Sequence, residues 1–163
     1  MSATRTSPAN LWKRVVDSHQ EFSRAFLDFL ANPAGKIEVL RSALRGKERL
    51  VALQAVPSLS VEEKKTLFPE WLQLARAAHS PHQIAWSVIE ALPREWVLQN
   101  IEKEVDAILE TGDETDYWMF LQLYTRLDVG LVKNLAQRAA AHADAGIREL
   151  GEDYLAMPAV ANA

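Results

Sequence analysis

The stretch HQIAWSVIEALPREW, residues 82–96, places a proline between two segments that both have the apolar spacing of a helix. Pro93 directly follows Leu92. A proline fits the first turn of a helix, because the N–H that it lacks has no intrahelical partner there. We therefore predict that Pro93 marks a tight joint between two antiparallel helices and does not interrupt a single one.

The same kind of joint recurs on either side of Pro93. The segment 47–59 is followed by Ser60, which predicts a capping box with the glutamate three residues later. The segment 116–127 is followed by Asp128, which predicts an N-cap. These three helix starts are 33 and 35 residues apart. A helix pair that recurs at such an interval is typical of a stacked helical repeat.

The composition favours an all-α fold. Hydrophobic residues make up 48% of the 163 residues, which is enough for one continuous core. The six glycines and the scarcity of alternating β-branched runs argue against a β fold with many turns. The predicted fold class is an all-α superhelix, or solenoid, of about three to four antiparallel helix pairs.

Residues 1–163 are predicted to form a single domain. Its parts are a flexible start over 1–7, an N-terminal capping helix over 8–35, helical repeats over 36–155 and a flexible tail over 156–163.

The recurring unit is a short helix, a Leu-x turn, a longer helix and a polar turn. It resembles HEAT-type repeats, with armadillo-type repeats as near relatives, over about residues 36–155. This resemblance implies a right-handed stack in which the second helix of each repeat lines a concave surface. Pro69, in the stretch LFPEWLQL, departs from the pattern, and the sequence leaves open whether it kinks that second helix or splits it.

Several kinds of site are disfavoured by the residues present. The chain has no cysteine, which excludes disulfides, thiolate nucleophiles and cysteine zinc sites. His79 and His82 flank a turn without a third ligand fixed nearby by spacing, so we predict no metal and no cofactor. No run of about 18 apolar residues is present, which predicts no membrane span. The first ten residues lack the apolar core of a signal peptide, which predicts a cytoplasmic protein.

Charge is distributed unevenly along the chain. Residues 1–50 contain nine Lys or Arg and five Asp or Glu, whereas residues 51–163 contain nine and seventeen. The segment 102–116 alone carries seven acidic residues and one lysine. Arg41 and Arg45 make a weak basic stripe in the first part, too small for a strong nucleic-acid site.

The second helix of the middle repeat has a polar stripe opposite its apolar residues. Five of its polar side chains fall within about one third of the helical wheel. The equivalent stripe on the next repeat includes Lys133, Asn134, Gln137 and Arg138. From these stripes and one boundary aromatic we predict a partner-binding set: Trp96, Gln99, Glu102, Lys103, Asp106, Glu110, Lys133 and Gln137.

These observations predict a non-catalytic protein-interaction module, a scaffold that binds a partner with a basic surface through an acidic concave face. Immunity-type and adaptor-type proteins both fit this description. The alternative is a DNA repair glycosylase, a class built from HEAT-like repeats that this chain resembles in predicted fold. That resemblance would give Trp96 and Asp106 the roles at the lesion. An acidic groove opposes phosphate binding, so a nucleic-acid partner is disfavoured.

Overall fold

The structure, a computed structural model, describes residues 7–78 and 81–161, and within these ranges it contains eleven α-helices and no strand. The helices are α1 (Pro8–Ala31), α2 (Lys36–Arg45), α3 (Arg49–Leu53), α4 (Val61–Thr66), α5 (Phe68–Ala75), α6 (Pro81–Glu90), α7 (Arg94–Leu109), α8 (Glu114–Leu127), α9 (Val129–Ala140), α10 (Ala145–Leu155) and α11 (Pro158–Ala161). A 3-10 turn, Val56–Ser58, follows α3. The all-α prediction is confirmed.

The helix starts predicted at Ser60, Pro93 and Asp128 are all present. Pro93 is the N-cap residue of α7, three positions after the last residue of α6, so the proline separates two helices. The Ser60 hydroxyl accepts a hydrogen bond from the Glu63 N–H at 3.2 Å, and the Glu63 carboxylate accepts one from the Ser60 N–H at 2.8 Å. The Asp128 carboxylate accepts from the Gly130 N–H at 2.8 Å and so caps α9. Each cap satisfies a backbone donor that a helix start leaves unpaired.

The first repeat differs from the prediction in both of its helices. The expected helix over 47–59 is reduced to α3 and the 3-10 turn, because Pro57 lacks the N–H that a continuing α-helix needs. The question about Pro69 is also resolved. One helix ends at Thr66 and the next begins at Phe68, which puts Pro69 in the first turn of α5. Pro69 therefore splits the helix in two.

Parts of both predicted terminal segments are described by the structure. In the expected flexible tail, α11 forms at Pro158–Ala161 and contacts α9, because Val160 is apolar and buried there. In the expected flexible start, Ser7 caps α1 through its hydroxyl, which accepts from the Asn10 N–H at 3.3 Å. Residues 1–6 and 162–163 lie outside the described ranges.

The helices from α5 onward form a connected set of helix–helix contacts. Helix α8 contacts α6, α7, α9 and α10, while α5 contacts α6 and α7, and α9 contacts α10 and α11. They enclose a core whose largest fully buried side chains include Trp71, Tyr124, Phe120 and Leu67. This packing is consistent with a helical repeat.

The first helix covers the end of the core only with its last turns. Phe26, Phe29 and Leu30 pack against the core, while no residue of α1 is fully buried by the described chain. Within the predicted capping segment 8–35, the last turns of α1 therefore cover the core, and its N-terminal part is largely exposed.

A buried ion pair joins two helices that are distant in sequence. Asp116, which is only 5% exposed, accepts two hydrogen bonds from Arg76, from Nε at 2.7 Å and from Nη2 at 2.6 Å. Arg76 is the C-cap residue of α5, and Asp116 forms the capping box of α8 with Asp113. The carboxylate thus satisfies the start of one helix and ties it to the end of another.

We expect Asp116→Ala to lower the free energy of unfolding by about 2–4 kcal/mol, because the half-buried Arg76 loses its partner. Urea denaturation measures this change. The control is Glu62→Ala, which removes only an exposed ion pair with Lys65 and should cost about 0.5 kcal/mol or less. Equal losses in the two variants would contradict the structural role of the buried pair.

A second ion pair makes stability depend on pH. The Lys36 ammonium lies 2.6 Å from a Glu63 carboxylate oxygen and lowers the pKa of that carboxyl, with further help from the Ser60 N–H. A lowered folded-state pKa contributes stability above the unfolded-state pKa and loses it as the pH falls. We expect Glu63→Gln to be less stable than the native chain at pH 7, and the difference to shrink as the pH falls from about 5 to about 3. Thermal unfolding at stepped pH tests this, and a difference that is constant with pH would contradict it.

Candidate functional site

The face of α7 that points to solvent is the predicted one. Its apolar residues Val97, Ile101, Val105 and Ile108 are buried. Its predicted polar stripe is exposed throughout, and consists of Gln99, Glu102, Lys103, Asp106 and Glu110. The helical phase read from the sequence is therefore confirmed, and the stripe forms part of the surface.

The phase can be tested at Ile101, which has no exposed area. Ile101→Asp buries an unpaired carboxylate in the core, and we expect it to cost more than about 3 kcal/mol or to prevent folding. Gln99→Asp, two residues earlier on the exposed stripe, should change the free energy of unfolding by about 0.5 kcal/mol or less. Circular dichroism during urea titration measures both. A stable Ile101→Asp protein would contradict the assigned phase.

Helix α9 lies beside this stripe and contacts two of its carboxylates. The Asn134 side-chain amide donates a hydrogen bond to Glu102 at 3.1 Å. The Arg138 guanidinium forms an ion pair with Asp106. The polar stripes of α7 and α9 thus meet in one surface, which we call the α7–α9 face. The predicted residues of α9 are also on it, Gln137 exposed and Lys133 half-buried.

A buried tyrosine from α8 lies beneath these contacts. Tyr124 is 2% exposed, and burial raises the pKa of its hydroxyl far above the ordinary value. The negative charges of Glu102 and Asp106 raise this pKa further, and the positive charge of Arg138 lowers it. The α7–α9 face therefore rests on a rigid part of the core, since Tyr124 and its neighbours in α8 are buried.

Trp96 occupies the opposite edge of α7, next to the preceding helices. It is half-buried, and its ring meets Phe68 edge-on with centroids 5.0 Å apart. The Lys65 ammonium lies 5.5 Å from the centre of the Trp96 ring, within the range of a cation–π contact. Trp96 thus connects α7 to α4 and α5, and only part of its ring is available to a partner.

The charge of the α7–α9 face is lower than the sequence predicts. Of the seven acidic residues in 102–116, Asp116 is buried with Arg76, Asp113 caps α8 and Asp106 pairs with Arg138. Local charge density in the sequence does not anticipate these partners, because they come from other helices. Three carboxylates of the α7 stripe are balanced by three cations on the same face, which are Lys103, Lys133 and Arg138. The face is polar and of mixed charge.

The weak basic stripe of α2 has a structural partner that the sequence analysis missed. Glu70 is 1% exposed, and its Oε1 lies 2.5 Å from Arg45 Nη2 and 3.3 Å from Arg41 Nε. Its Oε2 has no hydrogen-bond partner in the described chain. Both arginines are therefore engaged with a buried carboxylate. The sequence contained one signal of this contact, the spacing of four residues between Arg41 and Arg45.

Within residues 7–78 and 81–161, no group of three or more His, Asp or Glu side chains is arranged to hold a metal ion. His82 contacts the Trp86 ring with centroids 5.0 Å apart, whereas His79 lies outside the described ranges. No helix in the described part of the chain has both the length and the apolar character needed to cross a bilayer.

Comparisons of this chain with protein-family models, curated proteins and solved structures found no match.

Proposed function

We propose that this chain is a non-catalytic protein-interaction module, built as a HEAT-like superhelix, that binds a partner protein through the α7–α9 face. One observation carries the proposal: exposed polar side chains of two helices form one continuous surface through Glu102–Asn134 and Asp106–Arg138. An extended polar surface on a repeat-like scaffold is the usual binding site of such proteins.

The face is preorganised for binding. The helices that carry it are anchored from behind by buried residues, including Ile101 on α7 and Leu135 on α9. The hydrogen bond from the Asn134 amide further restricts Glu102 before any partner arrives. A surface that is already ordered loses less conformational entropy on association, so more of the contact energy contributes to affinity.

We propose that the partner presents a row of basic side chains. Glu102, Asp106 and Glu110 follow one another at intervals of four residues, about one helical turn, along the exposed side of α7. A partner cation would replace Arg138 on Asp106, and charge-assisted hydrogen bonds would form along the row. Immunity-type and adaptor-type roles are both served by this surface, since each masks or recruits a basic partner.

The triple variant Glu102→Lys, Asp106→Lys and Glu110→Lys should abolish partner binding without loss of the fold, because all three side chains are exposed. Affinity capture from native lysate, quantified by mass spectrometry at about 0.1 and about 0.5 M salt, identifies the partner through its salt-sensitive retention. Titration calorimetry with that purified protein then gives the affinity. Undiminished binding by the triple variant would contradict the proposal.

The matched control changes the same amount of charge on α10, which contributes no residue to the α7–α9 face. Glu149→Lys, Glu152→Lys and Asp153→Lys are exposed positions, and this variant should retain most of the affinity. Equal losses in both triple variants would indicate a general effect of net charge and would contradict a specific face. Retention of nucleic acid instead of a protein would also contradict the proposal.

Arg138→Gln provides a change in the opposite direction. It releases Asp106 from its ion pair and makes the α7–α9 face more acidic. A basic partner should therefore bind this variant more tightly, by about three- to tenfold at low salt.

A further inference from the structure

The N-terminal part of α1 is an amphipathic helix whose apolar side lacks a cover in the described chain. Leu11, Trp12 and Val15 are 47%, 68% and 56% exposed. The charged residues of α1 all fall on the opposite side of the helical wheel. A helix of this kind draws most of its stability from packing its apolar side, and an exposed tryptophan among aliphatic neighbours marks an interaction surface.

An apolar groove opens beside the C-terminal part of the same helix. It has a volume of about 330 Å³. The rings of Phe22 and Phe26 stack with centroids 5.5 Å apart and form one wall, and Val39 of α2 and Val51 of α3 belong to the other. Glu48 is the only charged residue among those that line it. The groove therefore fits an apolar helix, and α1 fills it only from one side.

These two features complement each other through a single symmetry operation. An antiparallel two-fold axis near Gln20 brings Leu11 of one copy opposite Phe29 of the other, and Val15 opposite Phe26. The exposed half of each α1 then lies in the groove of the other copy. We propose that a second copy of this chain occupies the groove, and that the protein forms an isologous dimer through antiparallel α1 helices.

The charge along α1 favours the antiparallel direction. Residues 8–19 carry two basic side chains and one acidic, for a net charge of +1, and residues 20–31 carry one basic and two acidic, for −1. Antiparallel pairing sets the positive half of each helix against the negative half of the other, and near Glu48 on the groove rim. A helix that lies on an anionic membrane instead has a polar side rich in lysine and arginine, whereas the polar side of α1 is neutral overall.

The available area is sufficient for a stable dimer. A fully covered aromatic side chain contributes about 150–250 Å². On its apolar side α1 exposes Trp12 and Phe22, at 68% and 37%, while Phe26 and Phe29 are already half-buried against the core. With the aliphatic residues of the helix and groove, two copies would bury on the order of 1,000–1,200 Å², which reaches the lower range of specific interfaces. This surface is separate from the α7–α9 face, so the dimer does not depend on the proposed function.

Sedimentation equilibrium of the full chain from about 1 to about 200 μM should show a species of twice the 18.3 kDa chain mass. Val15→Glu should raise the dimer Kd by about 100-fold or more, because it buries a charge in the groove. The fold of this variant should be intact by circular dichroism, since Val15 is exposed within one chain. Asn10→Glu adds the same charge on the polar side of α1, away from the proposed axis, and should leave the Kd within about threefold.

Cross-linking tests the direction of the pairing, and it is direct because the chain has no native cysteine. His19 lies close to the proposed axis, so His19→Cys should be joined across the dimer by a short bismaleimide. Leu11→Cys should not be joined, because antiparallel pairing puts the two copies of residue 11 about 28 Å apart.

Three outcomes would overturn the proposal. The first is a chain that stays monomeric over the whole concentration range. The second is efficient cross-linking of Leu11→Cys without that of His19→Cys, which would indicate parallel helices. The third is a chain that is monomeric in solution and binds vesicles of anionic phospholipid through α1, with Val15→Glu abolishing that binding.

Discussion

The buried ion pair between Arg76 and Asp116 constrains how helices α5 and α8 meet. A buried carboxylate without a partner would lower the free energy of unfolding by several kcal/mol. Helices α5 and α8 must therefore pack in a way that keeps Arg76 beside Asp116. Arg76 ends α5 and Asp116 belongs to the first turn of α8, and the bidentate geometry fixes their mutual orientation. Helices α6 and α7 lie between Arg76 and Asp116 in sequence, so this contact joins the two ends of the segment that contains them. The apolar core supplies most of the stability, and the ion pair selects the arrangement.

The position of the α7–α9 face follows from the same packing. Once α7 buries Val97, Ile101 and Val105, its polar stripe is directed to solvent. When α8 and α9 pack behind and beside it, Asn134 and Arg138 come within reach of Glu102 and Asp106. The result is a surface whose charges are already partly satisfied within the chain. Such a surface discriminates among partners by the pattern of its charges more than by their sum.

The first helix behaves differently from the rest of the molecule. Its C-terminal turns are held by the core through Phe29 and Leu30, while the turns around Trp12 contact little of the described chain. The N-terminal part of this amphipathic helix therefore carries an apolar surface that the described part of the chain leaves exposed. The two interaction surfaces that we propose therefore differ in character. The α7–α9 face is polar and preorganised, whereas the surface on α1 is apolar and only partly packed against the rest of the chain.

The sequence by itself determined the local features of this protein. The helical class, the joints at Ser60, Pro93 and Asp128 and the buried phase of α7 all depend on residues within one or two turns of each other. For that reason caps and periodicity predict them. The sequence showed a break at Pro69 but not whether the helix kinks or ends there. That outcome depends on tertiary packing, in which Leu67 and Phe68 are buried.

Only the tertiary structure decided where the charges ended up and which helix lacked a cover. Asp106, Asp113 and Asp116 look alike in one acidic segment, yet one pairs on the surface, one caps a helix and one is buried. The partners of Asp106 and Asp116 lie 32 and 40 residues away in sequence, so no local pattern reports them. The same holds for Arg45 and Glu70, whose separation is 25 residues. Local periodicity shows that a side of α1 is apolar, but whether that side is buried depends on the positions of α2 and α3, which are set by long-range packing.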